Sequence, residues 1–155
     1  MQDFSTFVGI DVSKAKLDVH VLAESKSFSV PNDKKGFEAL AQRLPQAGQC
    51  LIVVEATGGY ERQLTLYLIE RNHQVAVVNP KRVRDYARAT GAQAKTDRID
   101  ALILARFGQA FRPRVEEQTS KKQRELAAHV LRRRQLVDLR AVEKNHRELA
   151  PSGAV

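Results

Sequence analysis

The run Phe7-Val8-Gly9-Ile10-Asp11-Val12 constrains the fold more than any other stretch of the chain. Its apolar and β-branched residues describe a buried strand, and a carboxylate inside such a run is costly unless something positive meets it. Taken alone, Asp11 reads as a hydrogen-bonded structural acid. A larger role requires other acids to converge on it.

The rest of the first half supplies elements that can surround this strand. From Ala15 to Leu22, Leu17, Val19 and Val21 alternate with Lys16, Asp18 and His20. That is the period of a strand with one covered face, so Asp18 and His20 are expected to be exposed. Ser27 to Val30 continues as a third antiparallel strand, with Ser13-Lys14 and Glu24-Ser25 as hairpin turns. Asn32 or Asp33 can cap a helix carrying Phe37, Leu40, Ala41 and Leu44, which Pro45 stops. Leu51-Ile52-Val53-Val54 is an apolar strand of the doubly buried kind and closes on a second acid, Glu55. After the break Thr57-Gly58-Gly59, a helix with Leu64, Tyr67 and Leu68 leads to a strand from His73 to Val78, stopped by Asn79-Pro80. Strand, helix, strand in this order implies parallel pairing.

Beyond Pro80 the chain becomes helical and basic. Val83, Tyr86 and Ala87 mark a helix whose polar sides carry Lys81, Arg82, Arg84 and Arg88, and Gly91 ends it. Thr96 is a good N-cap for a helix from Asp97 to about Ala110, with Ile99, Leu102, Ile103, Arg106 and Phe107 near its buried side. Pro113 marks a boundary. From about Lys121 to Leu149 the sequence lacks Gly and Pro and reads as one long helix. Its apolar residues form two stripes, Leu126, Val130, Val137 and Ala141 in one and Leu131, Val142 and Leu149 in the other, with Arg132, Arg133 and Arg134 between them. A helix lying on a globule has one stripe, so this one is expected to meet a second subunit or further chain.

At 155 residues and 43% hydrophobic, the chain suffices for one domain with a core plus an appendage. Cys50 opens an apolar run without a partner cysteine and reads as a small buried side chain. No apolar run is long enough to cross a bilayer and no secretion signal opens the sequence, so a cytoplasmic protein without membrane contact is expected. The net charge of +8 is unevenly spread: residues 1–80 carry −1, residues 81–111 carry +4 and residues 112–155 carry +5. Basic excess confined to one half suits a polyanion partner, because Lys and Arg gain affinity by neutralising phosphates. Lys81, Arg82, Arg84, Arg88, Arg132, Arg133 and Arg134 are the candidates for that contact.

Four acids stand at the ends or edges of these elements: Asp11, Glu55, and Asp97 with Asp100 in the first turn of the late helix. Residues three apart share a helix face, and if the first and fourth strands are neighbours all four carboxylates approach one point. Carboxylates so gathered repel, and Mg²⁺ or Mn²⁺ relieves the repulsion because hard divalent ions prefer oxygen ligands. The plainer account of Asp97 and Asp100 is that acids favour the positive end of a helix dipole. Spacing alone does not decide between the two.

The motifs Gly9-Ile10-Asp11-Val12-Ser13-Lys14 with Leu17-Asp18-Val19, Glu55-Ala56-Thr57-Gly58-Gly59-Tyr60, Asn79-Pro80 and Lys95-Thr96-Asp97-Arg98-Ile99-Asp100-Ala101 occur in this order. Together they resemble the DEDD transposases, insertion-sequence recombinases related to the Piv-type DNA invertases. The resemblance spans roughly residues 5–110. It implies an α/β fold, an RNase H-like (RuvC-like) mixed sheet flanked by helices, with a long C-terminal helical arm. Residues 1–112 would form the catalytic domain, and residues 113–155 a linker and the start of a coiled-coil arm.

It makes Asp11, Glu55, Asp97 and Asp100 the catalytic, metal-binding tetrad for Mg²⁺ or Mn²⁺ and sets Lys95 and Arg98 beside it as phosphate contacts. The implied function is metal-dependent DNA cleavage and strand transfer in a bacterial or archaeal nucleoid. The implied partners are DNA, a structured guide RNA, and a second copy associating through the C-terminal helix. Family members are about twice this length, as two domains require, and their second domain supplies a serine. The chain is therefore expected to be an N-terminal fragment, and Ser152 in its Pro-Ser-Gly tail is a poor nucleophile candidate. The competing readings are a stand-alone Holliday-junction-type endonuclease and a non-enzymatic nucleic-acid-binding or dimerisation module. An actin-like ATPase fits less well, because Ser13-Lys14-Ala15-Lys16 replaces the small residues of its phosphate loop.

Overall fold

The computed structural model describes residues 3–91, 97–117 and 121–149; within the helices the side chains of 97–100, 121, 124, 125, 127, 128 and 147–149 lie outside the description. Residues 3–117 belong to one compact unit, and the helix that follows belongs to a second.

The first unit is built on a five-stranded sheet of β1 (Thr6–Val12), β2 (Lys16–Val21), β3 (Lys26–Pro31), β4 (Cys50–Glu55) and β5 (Gln74–Val78), in the order β3-β2-β1-β4-β5. β2 runs antiparallel to both β1 and β3, while β4 runs parallel to both β1 and β5. β1 is therefore central, which is why its sequence is apolar on both faces up to Asp11.

Alternate residues of these strands feed two separate cores. On one face Val8, Ile10, Val12, Leu17, Val19, Val21, Ile52 and Val54 pack with Phe37 and Leu40 of α1 (Lys34–Ala41) and Leu64 and Leu68 of α2 (Arg62–Ile69). Asp33 caps α1, its carboxylate accepting from the Gly36 N–H at 2.8 Å. Cys50 lies in this core, where burial pushes its thiol up to about 11, as suits an inert packing residue. On the other face Phe7, Leu51, Val53, Ala76 and Val78 pack with Val83 of α3 (Pro80–Ala89) and Ile103, Leu104 and Phe107 of α4 (Asp97–Phe111). The Asn79 side chain caps α3 by accepting from the Lys81 N–H at 2.8 Å. Residues after α4 stay with this unit: Val115 packs against the second core and the Glu116 N–H donates to the Val75 carbonyl at 2.7 Å.

The expected N-cap Thr96 and the loop 92–95 lie outside the described residues. Two side-chain expectations are corrected. Asp18 and His20 are buried, not exposed, because α4 covers the second face of β2. Arg106 is exposed, not inward, because the face of α4 turned to the sheet is set by Ala101, Leu104, Ala105 and Gly108.

The second unit is α5 (Lys121–Leu149), about 43 Å long at 1.5 Å per residue. Leu126, Val130, Leu131, Leu136, Val137, Leu139 and Val142 are all exposed. Leu136 and Leu139 belong to neither expected stripe, so apolar side chains face outward around most of the helix. Arg132, Arg133 and Arg134 are exposed among them.

Candidate functional site

The parallel register runs from Thr6↔Cys50 to Ile10↔Val54, and one more step sets Asp11 beside Glu55. Both share the strand parity of Phe7, Leu51 and Val53, so they belong to the α4 face of the sheet. Each is half-buried at the C-terminal end of its strand. β4 ends there because Thr57-Gly58-Gly59 turns away, with left-handed φ of 62° at Gly58 and 105° at Gly59. The Glu61 carboxylate ties this turn by accepting from the N–H groups of Thr57 at 3.1 Å and Gly59 at 2.9 Å.

The sequence pattern did not announce a further member of the row. Asp18 is the cross-strand partner of Asp11, and Ser29 is the partner of Asp18. Partners in register share a face, so Ser29, Asp18, Asp11, Glu55 and Val78 form one line across the five strands. The Asp18 residue is only 4% exposed. The Ser29 hydroxyl donates to its Oδ1, and the Lys16 Nζ sits 2.7 Å from its Oδ2. Next on the same face, His20 is buried with Nδ1 2.7 Å from the Ser27 Oγ. Burial, followed by the nearby Arg106 guanidinium, holds its pKa below the ordinary histidine value.

α4 crosses this face at a fixed direction and very short range. A Cβ added to Gly9 would lie 1.9 Å from the Ala101 carbonyl oxygen and 2.5 Å from the Ala105 nitrogen. Farther along the helix, a Cβ on Gly108 would lie 2.6 Å from the Val53 side chain and 3.4 Å from that of Phe7. The helix thus advances as β1 recedes, and its first turn heads toward the strand ends that carry Asp11 and Glu55. The backbone of Asp97 and Asp100 is in that turn. The side chains of Asp97, Arg98 and Asp100 lie outside the described residues, as does all of Lys95. Among the described residues, no three His, Cys, Asp or Glu side chains form a group able to hold a metal.

The basic candidates fall into two places. Lys81, Arg82, Arg84 and Arg88 are exposed on α3. The Arg82 guanidinium lies 5.7 Å from the centre of the Phe107 ring, and Arg88 pairs with Asp85 at 3.6 Å. Arg132, Arg133 and Arg134 are on α5, in the other unit.

Fold and row together define a mixed α/β domain whose acids lie at one end of the central strands. The chain belongs to the IS110-type DEDD transposase family, whose sequence profile, described as a transposase, matches residues 8–148. It is 32% identical over 114 residues to the pilin gene-inverting protein of Moraxella bovis and 31% identical over the same length to that of Moraxella lacunata. In both cases the match covers 70% of this chain and 35% of the relative's length. Among solved structures it is similar to T. thermophilus RuvC in complex with a Holliday junction substrate, at 13% identity and a TM-score of 0.48 over 72% of this chain and 99% of that one.

Proposed function

We propose that this chain is the catalytic domain of a DNA transposase or site-specific recombinase, residues 1–112, followed by a linker and the start of a coiled-coil arm at 113–155. Asp11, Glu55, Asp97 and Asp100 hold Mg²⁺ or Mn²⁺ in this reading. The observation that carries it is the pairing of Asp11 with Glu55 on the face toward which α4 directs its first turn, in a member of this family. An all-oxygen donor set suits a hard divalent ion. When bound, such ions activate the attacking oxygen and stabilise the leaving oxygen of a phosphodiester.

Three features of the chain support this donor set. The β1–β4 register continues to Asp11 beside Glu55, Gly9 lets α4 approach, and Glu61 ties the turn after β4. DNA is the polyanion partner, met by Lys81, Arg82, Arg84, Arg88, Lys95 and Arg98. A structured guide RNA and self-association through α5 complete the assembly, with Arg132, Arg133 and Arg134 contributing positive charge. Among the described residues no helix is long and apolar enough to cross a membrane, and the reading places the protein with the nucleoid in the cytoplasm. Calorimetric titration of Mn²⁺ into this chain and its Asp97→Asn variant tests the site: binding should be strong in the first and lost in the second. Equal binding by both would sink the proposal.

A further inference from the structure

Lys16, Asp18 and Ser29 are not members of the proposed tetrad, yet they continue its row. Asp18 faces Asp11 directly, and its carboxylate is satisfied by the Ser29 hydroxyl on one oxygen and the Lys16 ammonium on the other. Burying such a pair gains little stability, since desolvation cancels most of the attraction and apolar residues of similar size hold a fold as well. What the arrangement does produce is a cation at a fixed place. The Asp18 side chain is 5% exposed while that of Lys16 is 46% exposed, so the anchor is inside and the ammonium reaches the surface.

The backbone under Lys16 is equally constrained. Ser13 closes the β1–β2 turn three times on this residue: its N–H and its hydroxyl each donate to the Lys16 carbonyl at 2.9 Å, and its Oγ accepts from the Lys16 N–H at 3.1 Å. Asn32 clamps the same turn from β3's far end, its side-chain amide donating to the Ser13 carbonyl at 2.7 Å and its N–H to the Ala15 carbonyl at 3.0 Å. Lys16 shares the strand parity of Asp18 and stands one pleat beyond it, at the end of the sheet where Asp11 and Glu55 open outward. The ammonium is thus carried on the same face and at the same end of the sheet as those acids.

We propose that Lys16 is a phosphate-contacting residue of the same site, and that Asp18 and Ser29 are positioning residues that hold its ammonium toward the entering DNA strand. The inference rests on the reading of the site given above. Lys is suited to the task as a compact point charge on a flexible stem.

The test is fluorescence anisotropy of a labelled four-way DNA junction titrated with this chain in Ca²⁺ across a range of salt. Lys16→Ala should weaken binding and lower the slope of log affinity against log salt by about one, the signature of a lost phosphate contact. Lys16→Arg should restore the slope. Lys26→Ala, at the opposite end of the β2–β3 hairpin, removes the same charge and should leave it nearly intact. Asp18→Asn keeps shape and the Ser29 contact but removes the charge that anchors the ammonium, so binding should weaken although the protein becomes more positive. Equal losses in Lys16→Ala and Lys26→Ala, tighter binding by Asp18→Asn, or a drop in melting temperature with the slope unchanged would each overturn the inference. Should Asp18→Asn fail to fold, the three lysine variants still decide. Mn²⁺ calorimetry separates the two levels: loss of Mn²⁺ in Asp97→Asn with no slope change in Lys16→Ala defeats only this inference, whereas retained Mn²⁺ in Asp97→Asn defeats the site itself.

Discussion

The two faces of the sheet are made by alternate residues of the same strands, and they differ in kind. The face under α1 and α2 is apolar through its middle, with Val8, Ile10 and Val12 of β1 all in one core. The face under α4 is apolar at one end, where Phe7 and Leu51 meet Phe107, and polar at the other, where Asp18, Asp11 and Glu55 line up. The division follows from the strand's period of two: Asp11 turns away from the core that Ile10 and Val12 fill, so acids occupy one face without opening the other. The closed face is given over to packing, and the carboxylate row lies on the half-open one.

Gly9 is where the half-open face is most exacting. In Gly9→Val the new Cβ meets backbone, the Ala101 carbonyl at 1.9 Å, which cannot rotate aside as a side chain would. A cost of about 3 kcal/mol or more is expected, at the top of the range for overpacking, read as a lower urea midpoint. Mn²⁺ binding should vanish with it, because α4 no longer directs its first turn at Asp11. An unchanged midpoint would show that the helix is not seated on β1 as described. On the closed face, Ile10→Val removes one methylene from a fully buried side chain and should cost about 1 kcal/mol. Mn²⁺ affinity of the folded protein should stay the same, and a loss there would mean the faces are not independent.

Asp11→Asn sharpens the contrast in the opposite sense. The change keeps the side chain's shape and removes a negative charge from a row that already holds Asp18 and Glu55, so the unfolding free energy from urea titration should stay within about 0.5 kcal/mol of the parent. Mn²⁺ affinity should nevertheless fall by tenfold or more, on the order of what disturbing even an outer partner of a metal ligand costs. A large loss of stability with intact Mn²⁺ binding would make Asp11 a structural acid.

These contrasts also explain what could be read from residues alone. The order and type of the elements were legible because each run carries its own period, and the Thr57-Gly58-Gly59 break and the Asn79-Pro80 stop are local chemistry. Asp18 and His20 were misread because alternation tells which residues lie opposite Leu17 and Val19, but not whether a helix far along the chain covers them. Arg106 was misplaced for a related reason. The seat of α4 is decided by small residues, Ala101, Ala105 and Gly108, closing on the sheet, and a hydrophobic pattern gives such residues little weight. Asp18 escaped notice as a neighbour of Asp11 because cross-strand register is a property of the paired hairpin. The helical state of α5 follows from its composition, whereas the spread of its exposed apolar residues beyond two stripes comes from Leu136 and Leu139.

The smallest expected effect probes how dry the polar end of the α4 face is. His20 lies between β2 and α4 with its Nδ1 on the Ser27 hydroxyl, and burial, then Arg106, depress its pKa below 6.5. The native state thus keeps the ring neutral to a lower pH than the unfolded chain, which takes up a proton as the pH drops through about 6.5. Above that pH neither state is protonated and the group contributes no pH dependence; below it the unfolded state binds more protons, so stability must fall with falling pH. His73, depressed by burial and by Arg71, acts in the same direction beside β5. Urea midpoints measured between about pH 7 and 5.5 should therefore decline. His20→Asn, whose amide can keep the Ser27 contact without titrating, should make the decline shallower, and adding His73→Asn should flatten it further. If the single variant retains the full parental slope, His20 is already hydrated in the native state. The face under α4 would then be open to water as far inward as Gly9, well beyond the carboxylate row.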